Sequence, residues 1–247
     1  MTLEQFFKEV PRAALAFSGG TDSALLLWAA KTYGCDVRAY YVNTVFQPAF
    51  ELADAQKLAK ELEVPMTVVE ADVLAVPEAA VNGPRRCYYC KKALFTTLWK
   101  RAAEDGYTVL LDGTNASDDA GDRPGMQALR ELEVRSPLRE CGITKDQVRQ
   151  MSKEAGLFTW DKPAYACLAT RVPTGTAITR KTLEKVERGE DALFQLGFTD
   201  FRVRLMGDAA RIQLPEAQME RAVQLRDTIA KALEVDFSAV LLDLKGR

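Results

Sequence analysis

Histidine is absent from this sequence of 247 residues. Its absence excludes Ser-His-Asp and Cys-His catalysis, a histidine general base and zinc sites with histidine ligands. Catalysis must therefore rest on Cys, Asp, Glu, Lys, Arg or Ser side chains, or on a bound cofactor. The chain is 47% apolar, which at this length is enough to bury a substantial core.

An excess of charge of either sign is also missing. The 33 Lys and Arg residues nearly balance the 35 Asp and Glu residues, for a net charge of −2. Such a balance gives no general case for attraction to nucleic acid or to a membrane surface. No apolar run approaches the roughly 20 residues that span a bilayer, and the N-terminus lacks the pattern of a signal peptide. We therefore predict a cytoplasmic protein that binds neither nucleic acid nor membrane.

The organisation of the chain changes after a segment rich in Pro, Gly and Thr, residues 164–176, which we interpret as a linker. Before it, strand-like and helix-like patterns alternate, which predicts a parallel sheet covered on both faces. After it, the order helix, strand, strand, helix, strand suggests a small α+β domain with an antiparallel sheet. The predicted fold is thus α/β, with domains at residues 1–165 and 177–247. The predicted strands are 13–17, 37–42, 66–69, 108–112, 201–205, 210–214 and 237–242, and the main predicted helices are 21–32, 50–63, 89–104, 144–155, 179–196 and 216–233.

The sharpest motif is Ser18-Gly-Gly-Thr-Asp-Ser23, which follows a predicted strand and opens a predicted helix. Two glycines allow close approach of an anion, three hydroxyls (Ser18, Thr21 and Ser23) add donors, and the helix N-terminus favours negative charge. Asp22 can bind a magnesium ion held by phosphates. The alternative is an ordinary glycine turn before a capped helix. The predicted phosphate-binding residues are Ser18, Gly19, Gly20, Asp22 and Ser23.

This hexapeptide resembles the PP-loop of the N-type ATP pyrophosphatases. The resemblance implies that ATP and Mg²⁺ bind here, that the α-phosphate of ATP is attacked, and that pyrophosphate leaves behind an adenylate. A nucleophile would then displace AMP. In that superfamily the end of the second strand, here Val42-Asn43, and a later Gly113-Thr-Asn115 border the nucleotide.

Three of the five cysteines stand among basic residues, which favour thiolates. They are Cys87 and Cys90, in a CxxC motif, and the distant Cys167. This set suits a [4Fe–4S] cluster with one iron free of protein ligands. Zinc completed by a carboxylate or water, and a redox dithiol at the CxxC, remain alternatives. Cys35 and Cys141 are expected to be small buried or half-buried thiols.

Several motifs together resemble the LarE family, ATP-dependent sulfur transferases that build the nickel-pincer nucleotide cofactor of lactate racemase. The resemblance covers nearly the whole chain. The motifs are the hexapeptide, Arg86-Cys-Tyr-Tyr-Cys-Lys91, Gly113-Thr-Asn-Ala-Ser-Asp-Asp119, Arg123-Pro-Gly125, Ser136-Pro-Leu138, Lys162-Pro-Ala-Tyr-Ala-Cys-Leu-Ala-Thr-Arg171, Glu190 and Phe201-Arg-Val-Arg-Leu205.

The family implies a reaction and two ways of delivering sulfur. ATP adenylates a carboxylate of pyridinium-3,5-biscarboxylic acid mononucleotide, and sulfur replaces AMP to give a thiocarboxylate. In one branch a lone cysteine, matching Cys167, gives up its own sulfur. In the other, three cysteines hold a [4Fe–4S] cluster that carries a sulfide from an external donor. Because Cys87, Cys90 and Cys167 are all present, the chain resembles the cluster branch, and the resemblance also implies a homo-oligomer.

The anionic substrate directs attention to charged residues in the C-terminal part. Arg202 and Arg204 share one strand face and would make a bidentate anion site, although solvated charge on an exposed sheet face is the alternative. Glu190 matches an acidic family position near the substrate phosphate or a metal, or is simply solvated. Many relatives are expected to have Glu where this chain has Gln213, a departure that weakens any metal or assembly role of that position.

Other charged residues have two interpretations each. Lys91 and Lys92 could reach the ATP phosphates or the adenylate, or be surface charges. Arg171 could stabilise the Cys167 thiolate or the substrate, or form a structural salt bridge. Asp118, with Asp119, could help to hold magnesium or cap a helix.

Three other functions compete with sulfur transfer to a pyridinium nucleotide. A tRNA thiolase of the 2-thiocytidine type shares the loop and a three-cysteine cluster, but the net charge and the lack of a recognisable RNA-binding module argue against it. An amidating PP-loop enzyme would not need three cysteines. A nucleotide-binding regulator with a zinc-stabilised fold would bind ATP without releasing pyrophosphate.

Overall fold

The structure is a computed structural model that describes residues 1–118 and 124–247. The chain divides into a first unit, Met1–Val76 with Arg85–Lys162, and a second unit, Pro77–Pro84 with Pro163–Arg247. The segment interpreted as a linker therefore lies in the second unit. The two-domain assignment made from the sequence stays a prediction.

In the described residues, helices separate the strands of the first part of the chain, and four successive helices then precede the last three strands. The helices are α1 (Leu3–Glu9), α2 (Thr21–Thr32), α3 (Ala49–Glu61), α4 (Pro77–Ala80), α5 (Arg86–Glu104), α6 (Pro124–Glu131), α7 (Pro137–Glu140), α8 (Lys145–Glu154), α9 (Arg180–Gln195), α10 (Met219–Gln224) and α11 (Arg226–Leu233). The strands are β1 (Arg12–Ala16), β2 (Asp36–Asn43), β3 (Met66–Glu70), β4 (Leu110–Leu111), β5 (Arg202–Met206), β6 (Ala209–Gln213) and β7 (Val240–Leu242). In the described ranges, no helix has the length and apolarity needed to cross a membrane.

The first unit is built on a parallel sheet in the order β3-β2-β1-β4. Alternate residues of β1 enter two different cores, Ala13 and Leu15 on one face and Ala14 on the other. Helices cover both faces because parallel neighbours need long crossover connections. This confirms the predicted parallel α/β sheet, although β4 is shorter than the predicted strand 108–112.

The central strand pair positions the candidate site. Because β1 and β4 are parallel neighbours, the segments that follow them, which contain Ser18 and Gly113, leave the same edge of the sheet. Ligands of open α/β sheets bind at this carboxyl edge.

Helix α5 begins at Arg86, three residues before the predicted start at 89. The amide nitrogen of Tyr88 donates to the carbonyl of Arg85 at 2.9 Å, which already starts the helical turn. Cys87 and Cys90 therefore lie within the helix, at a spacing of three that places them on one face.

The second unit has a three-stranded sheet in the order β5-β6-β7 with helices α9, α10 and α11. Strands β5 and β6 are antiparallel as predicted, but β6 and β7 are parallel. The expectation of an antiparallel sheet is wrong for this second pair, because a helical connection returns the chain in the same direction. The predicted helix 216–233 is also divided, with Leu225 between α10 and α11.

Candidate active site

The hexapeptide after β1 forms a tight turn into α2. Gly19 has a φ of 71°, and a Cβ there would lie 3.1 Å from the backbone of Ala55 in α3. Both observations require glycine at this position. The oxygens of the Ser18 and Ser23 hydroxyls are 3.1 Å apart, and the Ser23 hydroxyl also donates to the carbonyl of Gly20. The loop is therefore held in shape by its own serines, with the N-terminus of α2 behind it.

Thr21 does not supply the donor expected of it. Its hydroxyl is buried and donates to the carbonyl of Thr159 at 2.9 Å. The expectation that this hydroxyl faces an anion is therefore wrong. It ties the start of α2 to the segment near Thr159, a long-range contact that the local motif does not encode.

Asp22 is the charged centre of the loop. One carboxylate oxygen accepts from the side-chain amide of Asn115 at 3.0 Å, and the other lies 2.5 Å from Nζ of Lys145. Lys145 is the first residue of α8, whose capping box of Thr144 and Gln147 was predicted correctly. Sequence reasoning missed this lysine, because no local signal shows that α8 begins beside Asp22.

The segment after β4 packs directly against the loop. A Cβ on Gly113 would lie 2.9 Å from the backbone nitrogen of Ser23, so only glycine allows this approach. The Asp118 carboxylate accepts from the backbone nitrogen of Asn115 at 3.0 Å, which fixes the turn between them. Asp119 and Arg123, also singled out from the sequence, lie outside the described residues.

Asn43 is turned toward its neighbouring strand. Its side-chain amide donates to both carboxylate oxygens of Glu70 at 3.0 Å. The predicted nucleotide contact at Asn43 stays a prediction.

A cavity of about 600 Å³ opens beside the loop in the first unit. One wall is polar and includes most of the predicted phosphate-binding residues. Another comes from the apolar side of α5, and Cys87 and Lys91 also line the space. The polar wall includes Ser18, Gly20, Asp22, Ser23, Gly113 and Asp118. The apolar wall includes Leu94, Phe95 and Leu98 of α5, and Met126 of α6 also lines the cavity. A volume of this size suits a nucleotide or a drug-sized ligand.

Basic side chains near the CxxC motif have different partners. Nη2 of Arg86 lies 3.8 Å from the sulfur of the exposed Cys87. Lys92 instead forms an ion pair with Glu131 at 2.9 Å and also donates to the hydroxyl of Tyr88. Hydrogen bonds from Lys92 and Tyr88 lower the pKa of Glu131 to about 2. Lys92 is thus engaged at the surface, whereas Lys91 faces the cavity.

Arg171 and Glu190 form a buried ion pair in the second unit. Nε of Arg171 lies 2.7 Å from one carboxylate oxygen of Glu190 and Nη2 lies 3.1 Å from the other, and both side chains are almost fully buried. Burial alone would lower the pKa of Arg171. The hydrogen bonds to Glu190 and the charge of Glu190 outweigh this effect, so that the pKa of Arg171 is raised. The interpretation of Glu190 as a solvated residue is wrong, and Arg171 forms the structural salt bridge held open as one alternative.

Arg202 and Arg204 both bind backbone carbonyls near Cys167. Nη2 of Arg202 donates to the carbonyl of Ala164 at 2.6 Å, and Nη1 of Arg204 donates to that of Thr170 at 2.7 Å. Arg202 is only 4% exposed, so a solvated sheet face does not describe it. Burial lowers the pKa of Arg202 to about 10, and the charge of Arg171 adds to this effect.

Gln213 joins this network. Its side-chain oxygen accepts from Nε of Arg204 at 2.5 Å, and its amide nitrogen donates to Asp243 at 2.8 Å. An amide can do both at once, whereas a carboxylate here would place like charge beside Asp243.

The cysteine donors fit a thiolate-ligated cluster in their chemistry. Cys87 and Cys90 share one face of α5 in a basic surrounding, and Cys167 stands directly before the 3₁₀ turn Leu168–Arg171 of the second unit. Among the residues that the structure describes, no three Cys, Asp or Glu side chains are grouped to hold a metal ion. The cluster therefore stays a prediction that rests on donor type.

The other two cysteines lie away from this chemistry. Cys35 is 6% exposed, and burial raises the pKa of its thiol to about 11, with a further contribution from Asp36. Cys141 is half-buried, and burial raises the pKa of its thiol as well. Both match the expected small, buried or half-buried thiols.

Comparisons with known proteins agree with this geometry. Residues 12–81, which include the hexapeptide, match the family model described as queuosine biosynthesis protein QueC. The chain is 40% identical to an uncharacterized Synechocystis protein, in an alignment that covers 99% of this chain and 92% of the relative. It is 36% identical to the pyridinium-3,5-bisthiocarboxylic acid mononucleotide synthase of Lactiplantibacillus plantarum, over 99% of this chain and 90% of that one. A tRNA-specific 2-thiouridylase of Pseudothermotoga lettingae is 26% identical over 61% of this chain and 54% of its own.

A parallel sheet with a glycine-rich loop at its carboxyl edge, and these relatives, define a PP-loop ATP-using enzyme. Within that class the identity and coverage place the chain more narrowly. It belongs to the LarE family, that of the Lactiplantibacillus plantarum synthase, and is an ATP-dependent sulfur transferase.

Proposed function

We propose that this enzyme adenylates a carboxylate of pyridinium-3,5-biscarboxylic acid mononucleotide and then replaces AMP with sulfur, giving the thiocarboxylate. The observation that carries the proposal is the shared cavity: Cys87 lines the same space as Asp22 and Ser18. A thiol at the wall of a cavity lined by the predicted phosphate-binding residues supports a reaction in which sulfur meets an activated acyl group. The name of the Lactiplantibacillus plantarum relative supports the same substrate class.

The first step joins the substrate to AMP. A carboxylate oxygen attacks the α-phosphorus of ATP, and pyrophosphate leaves with the electron pair of the broken bond. The hexapeptide Ser18–Ser23 and the N-terminus of α2 would hold the phosphates, and Asp22 would hold Mg²⁺. Lys91 and Lys145 would balance the charge that develops on the departing pyrophosphate.

The second step breaks the acyl–AMP bond. Hydrosulfide attacks the acyl carbon and AMP leaves, so that one C–S bond forms, one C–O bond breaks and one proton is released. Adenylation makes this possible because AMP is a far better leaving group than an oxide ion. Arg202 and Arg204 would hold the anionic groups of the nucleotide.

Three cysteines would hold the group that delivers the sulfur. Cys87, Cys90 and Cys167 would ligate a [4Fe–4S] cluster which, when bound, supplies an iron without a protein ligand at which sulfide is held. Sulfide or another sulfur donor would replenish it, so that the enzyme turns over repeatedly. In the alternative, Cys167 gives up its own sulfur and each chain acts once. A homo-oligomeric state is proposed on the family resemblance alone.

The test is an anaerobic assay with ATP, Mg²⁺, sulfide and the biscarboxylate nucleotide. The expected result is pyrophosphate and AMP release that requires the nucleotide, with a product in which mass spectrometry finds sulfur in place of one oxygen. ATP binding without pyrophosphate release would contradict the proposal and favour a regulator. Thiolation of tRNA in place of the nucleotide would contradict it and favour the tRNA thiolase function.

A further inference from the structure

The segment that carries Cys167 is held by arginines through its backbone. We call residues 164–171 the cysteine loop. Four of its carbonyls accept from guanidinium groups, at distances of 2.6 to 3.4 Å. Arg202 donates to the carbonyl of Ala164, and Arg204 donates to that of Thr170. Arg171 donates to the carbonyls of both Ala166 and Cys167. Hydrogen bonds to these carbonyls constrain the path of the backbone, and with it the direction of the Cα–Cβ bond of Cys167.

Glu190 holds the central arginine of this set in place. Its carboxylate accepts four hydrogen bonds, two from Arg171, one from the backbone nitrogen of Val203 and one from the hydroxyl of Tyr165. The residue is 1% exposed. Each oxygen thus accepts two bonds within the protein, an arrangement that orients Arg171 and keeps the carboxylate away from solvent.

Tyr165 couples the arginines to one another. Its ring lies under the guanidinium groups of both Arg171 and Arg202, at 4.5 and 5.1 Å from the ring centroid. The planar guanidinium of arginine suits both stacked and forked contacts of this kind. Tyr165 and Arg171, within the cysteine loop, are therefore joined to Glu190 and Arg202, outside it, by hydrogen bonds and ring contacts.

We propose that Glu190 is a positioning residue that, through Arg171, fixes the backbone of the cysteine loop and thereby the direction in which Cys167 presents its sulfur. This rests on the proposed function in one respect only, that Cys167 handles sulfur. A buried charge pair of this kind contributes orientation more than net stability. A misdirected thiol loses rate because transfer depends on alignment of the reacting atoms.

The test combines amide hydrogen exchange with kinetics for Glu190→Gln, which keeps the shape and removes the charge. Exchange is measured on protein without ATP or iron, so it does not depend on the proposed function. We expect exchange in residues 166–171 to rise about tenfold while the rest of α9 stays protected. Sulfur transfer should fall about tenfold in kcat with the KM for ATP unchanged.

The matched control is Arg188→Ala. Arg188 also lies on α9 and forms a forked pair with Asp236, but this pair is at the surface. Breaking it should change neither loop exchange nor turnover. If Glu190→Gln does not fold, Tyr165→Phe removes one bond to Glu190 while it keeps the ring, and should shift both readouts in the same direction by less.

Two results would overturn the proposal. In one, Glu190→Gln raises the KM for the nucleotide while loop exchange and kcat stay as in the wild type, because Glu190 would then contact substrate. In the other, exchange rises but sulfur transfer is unchanged, because the loop would then not need to be fixed. A wild-type protein that makes no thiocarboxylate contradicts the proposed function instead, and the exchange experiment still reports whether Glu190 holds the loop.

Discussion

Nζ of Lys145 lies 2.5 Å from a carboxylate oxygen of Asp22, in the hexapeptide Ser18–Ser23. A lysine ammonium thus stands against the carboxylate proposed to bind Mg²⁺. If Asp22 binds the Mg²⁺ that accompanies ATP, as proposed, the Lys145 ammonium would be released to the phosphates. Lys145 is therefore expected to act in ATP activation.

Lys145→Met should slow pyrophosphate release. Removing the ammonium leaves the Asp22 carboxylate with Asn115 alone and takes one positive charge from the phosphates. We expect the KM for ATP to rise about tenfold, the effect of losing roughly 1.4 kcal/mol of binding. The control is Lys8→Met, since Lys8 forms an exposed pair with Glu4. Equal kinetics of the two variants would show that Lys145 has no role at the phosphates.

Gly113→Ala should damage the site through the backbone. The added methyl group would lie 2.9 Å from the backbone nitrogen of Ser23. The segment after β4 and the start of α2 must therefore move apart. We expect a loss of about 1–3 kcal/mol in the free energy of unfolding, measured by denaturant titration, and weaker ATP binding. Gly83→Ala is the control, because no atom lies within 4 Å of its added carbon. Unchanged stability and ATP affinity in Gly113→Ala would be incompatible with this close approach.

Gln213→Glu should weaken binding of the pyridinium nucleotide. Gln213 now accepts from Arg204 and donates to Asp243. A carboxylate would pair more strongly with Arg204 and leave less of its charge for an anionic substrate, while it repels Asp243. We expect the KM for the nucleotide to rise several-fold with the KM for ATP unchanged.

Gln224→Glu makes the same chemical change at an exposed position of α10, where Gln224 contacts Glu220. This control should change neither the KM for the nucleotide nor the KM for ATP. The interpretation of Arg204 as a substrate residue fails if Gln213→Glu behaves in the same way as this control.

Local signals predicted much of the first unit. The hexapeptide between β1 and α2 and the Thr144 capping box act over a few residues, and the structure has both loop and cap where the sequence placed them. The start of α5 was placed late because no capping residue marks Arg86. Leu225, between α10 and α11, interrupts an apolar pattern that gives no sign of a break.

Long-range pairing explains what the sequence did not reveal. Lys145 meets Asp22 across 123 positions, and Glu190 meets Arg171 across 19. The sequence singled out Asp22, Arg171 and Glu190 but did not reveal these pairings, and it gave no signal for Lys145. Only the fold places Lys145 beside Asp22 and buries Glu190 against Arg171. The parallel pairing of β7 with β6 likewise depends on how α10 and α11 return the chain.

The central proposal is that Cys87, Cys90 and Cys167 ligate the cluster that delivers sulfur to the adenylate. Its most direct test is iron and labile-sulfide analysis after anaerobic reconstitution with iron and sulfide, on wild type, Cys167→Ala and the control Cys141→Ala. The account predicts about four irons per chain in the wild type and in Cys141→Ala, and their loss in Cys167→Ala. Zinc or no metal in the wild type, or iron retained in Cys167→Ala, would contradict it.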